Sequence, residues 1–255
     1  MSVMHRVMLL NSKGGCGKTT IATNLAGYYA SSGKNTVLID HDGQGSGTHW
    51  LTTRPPQAPA IHGIEAYREA IGVTRSFLLR LPENTDRIVI DTPANVQGQQ
   101  LADLVSRSDS IIVPVLSSQI DIDAASKFMR SFAQLPRVLN GDVRVAVVAN
   151  RVRTHTVMYL DLERFLTHSG FAFAARLRDT QAYIRAAECG LGIHELRAGG
   201  ARKDLDQWAP LIAWVEEGAS ETPDALGTAY CIRPAGKEKA TSRQRAFAFS
   251  LKAEG

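Results

Sequence analysis

Residues 13–20 of this 255-residue chain read KGGCGKTT, and this stretch decides the fold. It follows the apolar run Val7–Asn11 (VMLLN) after the single residue Ser12, and it opens a segment with the pattern of a helix. Closely spaced glycines let successive backbone N–H groups turn toward an anion, and the N-terminus of the following helix adds partial positive charge. The stretch therefore predicts a strand, a phosphate-binding loop and a helix, in that order.

The side chains of this loop suit a nucleoside triphosphate with magnesium. Lys18 is placed to reach the β and γ phosphates, the Thr19 hydroxyl to ligate Mg²⁺, and Thr20 to lie near the α phosphate. The common pattern G-x-x-x-x-G-K-[ST] has a glycine where this chain has Ser12, and the chain adds a second lysine at Lys13. The remaining residues predicted to cradle the phosphates are Gly14, Gly15, Cys16 and Gly17.

The composition is that of an ordinary globular protein. Hydrophobic residues make up 44% of the chain and charged residues 21%, which suits an α/β domain with a buried core. No apolar run approaches the roughly 18 residues that a membrane span requires. The three cysteines, Cys16, Cys189 and Cys231, are odd in number and far apart, so we expect no disulfide framework and a reducing, cytoplasmic location.

Short apolar runs alternate with longer helical segments along the chain. This alternation predicts a doubly wound, mostly parallel α/β sheet with helices on both faces. The predicted strands are Val7–Asn11, Thr36–Asp40, Arg87–Asp91, Ser110–Leu116, Val143–Asn150 and Phe171–Ala174. The predicted helices are Lys18–Ser32, Ile64–Ile71, Asp123–Leu135, Val157–His168, Thr180–Cys189 and Ala201–Glu217. Asp123 and Thr180 are of the residue types that favour N-cap positions.

The character of the sequence changes after Glu217. Residues 1–217 carry the alternating pattern and form the predicted ATP-binding domain. Residues 218–255 have few periodic apolar positions and many small or charged residues. We therefore expect this C-terminal segment to be a flexible tail.

Two predicted strands end in carboxylates. The strand Thr36–Asp40 runs into His41 and Asp42, so Asp40 and Asp42 have the i, i+2 spacing that lets both face one cleft. One of them can act on magnesium through water while the other orients an attacking water molecule. The apolar run Arg87–Asp91 closes on an aspartate, which is the Walker B arrangement and points to a role at the magnesium ion.

Taken in order, these motifs resemble the ParA/MinD family of ATPases, whose phosphate loop has the form K-G-G-x-G-K-T. Residues 40–46, DHDGQGS, are similar to the family's first switch, D-x-D-P-Q-G-S, with Gly43 in place of proline. Residues 91–94, DTPA, are similar to its second switch. The resemblance covers residues 5 to about 217 and implies a P-loop NTPase fold of the short ParA-like type.

The resemblance implies a catalytic role for three residues. Lys18 would bind the β and γ phosphates of ATP, and Asp42 would activate the attacking water. In this family the additional lysine, here Lys13, reaches across an ATP-bound homodimer to the phosphates of the partner. A positive charge there stabilises the γ phosphoryl group as it leaves.

The same resemblance implies the contacts to metal and base. Asp40 would support a magnesium ion held at Thr19 and Asp91. Asn150 and Arg151, at the end of a predicted strand, are similar to the family's adenine contact, and an asparagine amide offers both a donor and an acceptor. The implied cofactors are ATP and Mg²⁺.

The distribution of charge suggests a polyanionic partner. The net charge is only +4, but residues 124–187 contain ten Arg or Lys against four Asp or Glu. ParA-type proteins bind DNA nonspecifically, and such an excess suits contact with phosphates without base readout. The candidate DNA-binding residues are Arg176, Arg178, Arg185, Arg197, Arg202 and Lys203.

We therefore expect a cytoplasmic, nucleoid-associated ATPase that dimerises on ATP and binds nonspecific DNA. It would position or segregate a plasmid, a chromosome region or a protein organelle such as a carboxysome. A ParB-like or cargo-adaptor protein would be its partner and would stimulate slow hydrolysis. An ATP-dependent accessory protein of secretion or cellulose synthesis, acting by protein contact alone, is an open alternative.

Two other branches of the family fit the sequence less well. A MinD-like positioning ATPase binds membrane through an amphipathic C-terminal helix, whereas Phe247, Phe249 and Leu251 alternate with period two rather than at helical spacing. An iron–sulfur cluster of the nitrogenase iron-protein type needs a cysteine after the second switch. Neither Cys189 nor Cys231 lies there, so we expect no cluster.

Overall fold

The computed structural model of the chain describes residues 4–67, 81–196 and 202–220. In these residues seven strands form one sheet in the order β3-β2-β4-β1-β5-β6-β7, and each of its strand pairs is parallel. The sheet confirms the predicted α/β class. The strands are β1 (His5–Leu9), β2 (Thr36–Asp40), β3 (Ile61–Glu65), β4 (Arg87–Asp91), β5 (Ser110–Val115), β6 (Arg144–Val152) and β7 (Ala172–Arg178).

Helices connect the strands and cover both faces of the sheet, because parallel neighbours require crossover connections. The helices are α1 (Lys18–Ser31), α2 (Ser46–Thr52), α3 (Gly98–Ser106), α4 (Gln119–Phe132), α5 (Pro136–Leu139), α6 (Val157–Thr167), α7 (Gln181–Glu188) and α8 (Arg202–Ser220). A short 3₁₀ turn covers Ile193–Glu195. Across the described ranges, none of the helices is both long enough and apolar enough to cross a bilayer.

The central strand β1 shows how the core is divided between the two faces. Val7 and Leu9 pack on the face covered by α1 and α8, whereas Met8 packs on the face covered by α3, α4 and α6. All three side chains have no exposed surface. A strand buried on both sides reads as a continuous apolar run, which is why VMLLN predicts a strand here.

Two boundaries inside the domain differ from the predictions. The N-cap of α4 is Ser118, whose hydroxyl accepts the Asp121 N–H, so the prediction of Asp123 at this position was wrong. Strand β3 contains Ile64 and Glu65, which the sequence pattern assigned to a helix, and residues 68–71 of that helix lie outside the described part. The short run IHGIE has a central glycine and too few alternating apolar positions for its sequence pattern to predict a strand.

The last described helix passes the expected end of the domain. Helix α8 continues to Ser220, and Gly218 and Ala219 are buried within it. A Cβ atom on Gly218 would lie 2.3 Å from a guanidinium nitrogen of Arg144, so this glycine packs closely on β6. The folded domain therefore includes at least three residues of the segment predicted to be a tail, and residues 221–255 lie outside the described part.

Candidate nucleotide-binding site

The predicted phosphate, metal and base residues meet at the carboxyl ends of the central strands. Asp91 at the end of β4 pairs in register with Leu9 of β1 on one side and with Asp40 of β2 on the other. The loop after β1 therefore lies beside the segments that follow β2 and β4. Open α/β sheets bind ligands at this edge, where the strand order reverses.

The phosphate loop has the conformation that its glycines permit. Gly15 and Gly17 have φ angles of +75° and +93°, in the left-handed region that favours glycine. At Gly17 a Cβ atom would lie 2.1 Å from Nδ2 of Asn150, which donates a hydrogen bond of 2.8 Å to the Cys16 carbonyl. Position 17 therefore accepts only glycine while Asn150 holds the loop. The neighbouring Arg151 is exposed with a φ of +51°.

The amine of Lys18 lies inside this loop. The residue is 6% exposed, and Nζ donates a hydrogen bond of 3.1 Å to the carbonyl of Lys13. The Cys16 thiol donates to the same carbonyl at 3.3 Å, and burial raises the pKa of this thiol. Cys16 therefore stays a neutral thiol near neutral pH and contributes its backbone, while Lys18 supplies the positive charge that phosphates require.

Thr19 and Asp91 form a pair suited to a divalent cation. The Thr19 hydroxyl donates to Oδ2 of Asp91 at 2.6 Å, and Asp91 is fully buried. Among the described residues its other oxygen, Oδ1, accepts no hydrogen bond. Burial, with a smaller contribution from the Asp40 charge, raises the pKa of Asp91 to about 7 against the opposing effect of the Thr19 hydrogen bond. A buried carboxylate short of positive charge, beside a hydroxyl, fits Mg²⁺ together with phosphate oxygens.

The two carboxylates after β2 have different surroundings. Asp40 is buried, and its two oxygens accept backbone N–H bonds from Asp42 (3.0 Å) and Thr48 (2.9 Å). Asp40 therefore fixes the turn and the start of α2. Because both of its oxygens already accept hydrogen bonds, it would support a metal ion only indirectly, and this role stays a prediction. Asp42 is half-exposed and accepts the Gln44 N–H at 3.0 Å, so its carboxylate can meet water.

The segment after β4 is held against the phosphate loop. The Thr92 hydroxyl donates to the Leu9 carbonyl at 2.7 Å, and the Asn95 N–H donates to the Ser12 carbonyl at 2.8 Å. Asn95 has a φ of +61°, which asparagine tolerates better than most residues. These two bonds tie the segment after β4 to the end of β1 and to the start of the phosphate loop.

Lys13 has a partner within its own chain. Its ammonium leaves the loop and forms an ion pair with Oδ1 of Asp121 in the first turn of α4. Its backbone N–H donates to Oδ1 of Asn11 at 3.1 Å. The two lysines of the loop are therefore separated, since Lys18 points into the loop and Lys13 points away from it.

The arginines predicted to bind DNA divide into two groups. Arg176 pairs with Glu163 at 2.7 Å, and Arg178 pairs at 2.5 Å with Asp204, which is fully buried. These two arginines join β7 to α6 and α8, while their side chains stay 49% and 38% exposed, so their contact with DNA stays a prediction. The other described candidates are exposed and are Arg185, Arg202 and Lys203. Arg197 lies outside the described residues.

A buried ion pair that the sequence did not indicate connects two residues that are 141 positions apart in the chain. Arg54 donates to both oxygens of Glu195, at 2.5 and 2.9 Å, and the two side chains are 6% and 5% exposed. Glu195 also accepts the Gly192 N–H at 2.8 Å, and a Cβ atom on Gly27 of α1 would lie 2.5 Å from it. The segment after α7 is thereby clamped between α1 and α2, which frame the nucleotide site.

Fold and site together define a P-loop nucleotide-binding protein with a second lysine in its phosphate loop. The model of the CobQ/CobB/MinD/ParA nucleotide binding domain matches residues 7–193. The chain belongs to this family. Members of its ParA/MinD branch are P-loop ATPases.

Individual relatives agree with this assignment. The chain is 31% identical over 201 residues to maintenance of carboxysome distribution protein A from Gloeobacter kilaueensis, covering 77% of this chain and 87% of the relative. It is 26% identical over 168 residues to the chromosome-partitioning ATPase Soj from Thermus thermophilus, covering 56% and 67%. A solved structure of apo McdA from Cyanothece has the same fold, with a TM-score of 0.63 at 16% identity over 84% of this chain and 99% of that one.

Proposed function

We propose that this chain is a ParA-like ATPase that dimerises on ATP, binds nonspecific DNA and positions an intracellular cargo. The observation that carries the proposal is that the ammonium groups of the two loop lysines lie in different places. Lys18 lies within the loop, where its own nucleotide would bind, whereas Lys13 carries a second positive charge away from it. An enzyme acting alone needs only the first of these charges.

In the proposed reaction each residue has a defined task. The loop N–H groups and Lys18 bind the β and γ phosphates, and Thr19 and Asp91 would hold Mg²⁺. When held there, Mg²⁺ would supply positive charge against the phosphate oxygens. Asp42 orients the attacking water, and Lys13 of a second subunit stabilises the departing γ phosphoryl group.

The cargo is proposed from the kind of proteins that the chain resembles. One relative is named for carboxysome distribution and the other for chromosome partitioning. Both concern the placement of a large object inside a cell, so we propose the same class of task here. A ParB-like or cargo-adaptor protein would be the partner that stimulates hydrolysis, and the cytoplasm, with the nucleoid as support, would be the location.

The dimer is tested by measuring the mass of the wild-type chain in solution with a slowly hydrolysed ATP analogue. We expect a dimer with the analogue and a monomer with ADP. Lys13→Gln should bind ATP within about threefold of wild type, because its ammonium lies outside the loop. It should weaken the dimer and lower partner-stimulated hydrolysis by about tenfold or more, since the two facing triphosphates lose their bridging cations. A dimer that is as tight in Lys13→Gln as in the wild type, or monomers of the wild type and of every variant with bound analogue, would refute the trans role of Lys13.

Action by protein contact alone is the second candidate, and two observations favour it. Arg176 and Arg178 are engaged in internal ion pairs. In addition, the first turns of the neighbouring helices α4 and α6 expose apolar side chains that water disfavours. These side chains are Ile120, Val157, Met158 and Leu160.

DNA binding separates the two candidates. Replacing Arg185, Arg202 and Lys203 together by alanine should weaken binding of the ATP-loaded protein about equally on unrelated duplexes. The slope of log Kd against log salt should fall by about one for each lysine or arginine that no longer touches a phosphate. Lys127→Ala is the matched control, because Lys127 is exposed on α4, on the opposite face of the sheet. An ATP-loaded wild type without salt-sensitive DNA binding would favour action by protein contact.

A further inference from the structure

The ion pair of Lys13 with Asp121 is more sheltered than a surface contact. The Asp121 side chain is 11% exposed and the Lys13 side chain 35%. Surface pairs contribute little because water and salt screen them, and partial burial reduces this screening. The pair therefore biases where the Lys13 ammonium lies.

Asp121 is fixed in place without help from Lys13. The Ser118 hydroxyl accepts the Asp121 N–H at 3.2 Å and donates its own hydrogen to Oδ2 of the same residue. This contact at the N-terminus of α4 leaves Oδ1 to form the ion pair with the Lys13 ammonium. Asp121 is therefore held in position before Lys13 binds to it, and we call it the anchor. The flexible Lys13 side chain is the part that can move.

The backbone of Lys13 is fixed as well. Its N–H donates to the side chain of Asn11, which in turn donates to the Pro114 carbonyl of β5 at 2.7 Å. Since β5 leads into α4, the loop and the anchor share one rigid support. Rotation of the Lys13 side chain alone decides whether the ammonium meets Asp121 or extends beyond the subunit.

We propose that Asp121 is a positioning residue that retains Lys13 on its own subunit until two ATP-loaded subunits meet. This inference rests on the proposed ATP-dependent dimer. One ammonium cannot neutralise Asp121 and the phosphates of a second copy at once, so forming the dimer breaks two such pairs. The exchange is favourable only when a triphosphate, with several negative charges, replaces a single carboxylate. Asp121 thereby sets the threshold for dimerisation.

Asp121→Asn tests this in the full chain with the slowly hydrolysed ATP analogue. The substitution keeps the shape and the acceptor for Ser118 but removes the charge that holds Lys13. We expect the dimer dissociation constant in analytical ultracentrifugation to fall about 10- to 100-fold, from about 3- to 10-fold for each pair. Asp123→Asn is the matched control, because Asp123 lies on the same helix, is exposed and bonds only to Gln119 among the described residues.

A second comparison distinguishes positioning from a structural effect on α4. In a Lys13→Gln background Asp121→Asn should change the dimer dissociation constant less than about twofold, because nothing remains to be released. An equal gain in that background, or no gain in the wild-type background, overturns the proposal. Asp121→Ser serves as a second variant if thermal unfolding shows that the asparagine variant is misfolded.

Failure of the inference and failure of the proposed dimer give different results. A wild-type dimer that Asp121→Asn does not tighten leaves the proposed function standing and overturns the role of Asp121. A wild type that stays monomeric while Asp121→Asn dimerises supports the anchor. If the wild type and Asp121→Asn are both monomeric, the proposed dimer and the proposed role of Asp121 are both overturned.

Discussion

Replacing Lys18 by alanine is expected to raise the dissociation constant for ATP by at least about 100-fold. The Lys18 ammonium is buried in the loop, where a charge-assisted bond to phosphate is worth roughly 3 kcal/mol or more. Loss of the amine also leaves the phosphate charges facing the buried Asp91 without their nearest cation. Calorimetric titration with ATP and magnesium measures the effect directly.

The fold of the Lys18→Ala variant can be verified independently of nucleotide. Its bond to the Lys13 carbonyl is a single contact, so the unfolding temperature without ATP should change by only a few degrees. Saturating ATP should stabilise the wild type but not the variant, since stabilisation depends on binding to the folded state. Lys34→Ala, beyond the far end of α1, is the control. ATP affinity close to wild type in Lys18→Ala would contradict the assignment of the phosphate loop.

The sequence predicts the central part of the molecule well because local and long-range requirements coincide there. The run ending at Asp91 is buried on both faces and closes on a polar residue, so its composition alone marks the strand and its end. Position 17 requires glycine because its backbone is left-handed and because Asn150 approaches it closely. The phosphate-loop motif has a glycine at this position, so the sequence reflects both requirements. The short edge strand β3 and the start of α4 lack this redundancy.

Pairings between distant residues could not be predicted from the pattern. Arg54 and Glu195 are 141 residues apart, and neither belongs to a motif, so only the fold brings them together. The same holds for the ion pair of Lys13 with its carboxylate on α4. Arg176 and Arg178 illustrate the converse, because a count of basic residues cannot distinguish an open cation from one that is held in an internal ion pair.

Replacing Asp42 by alanine is expected to slow ATP hydrolysis by about 100-fold or more while ATP binding changes less than about threefold. Orientation and proton transfer by one positioned side chain contribute on the order of 10² to 10⁴ in rate. Asp42 is half-exposed, and its side chain accepts one bond from the Gln44 N–H, so the folded state should tolerate its loss. Single-turnover hydrolysis with and without the partner protein gives the rate.

Asp42→Asn is the sharper form of this experiment. Asparagine keeps an acceptor for the Gln44 N–H and nearly the same shape, so a loss of turnover in this variant comes from the missing negative charge. Both variants should accumulate as ATP-bound dimers, because binding and dimerisation precede the blocked step. They should remain on DNA in high-ATP washes that release the wild type once it has hydrolysed its nucleotide. Turnover at the wild-type rate in both variants would assign the orientation of water to a residue other than Asp42.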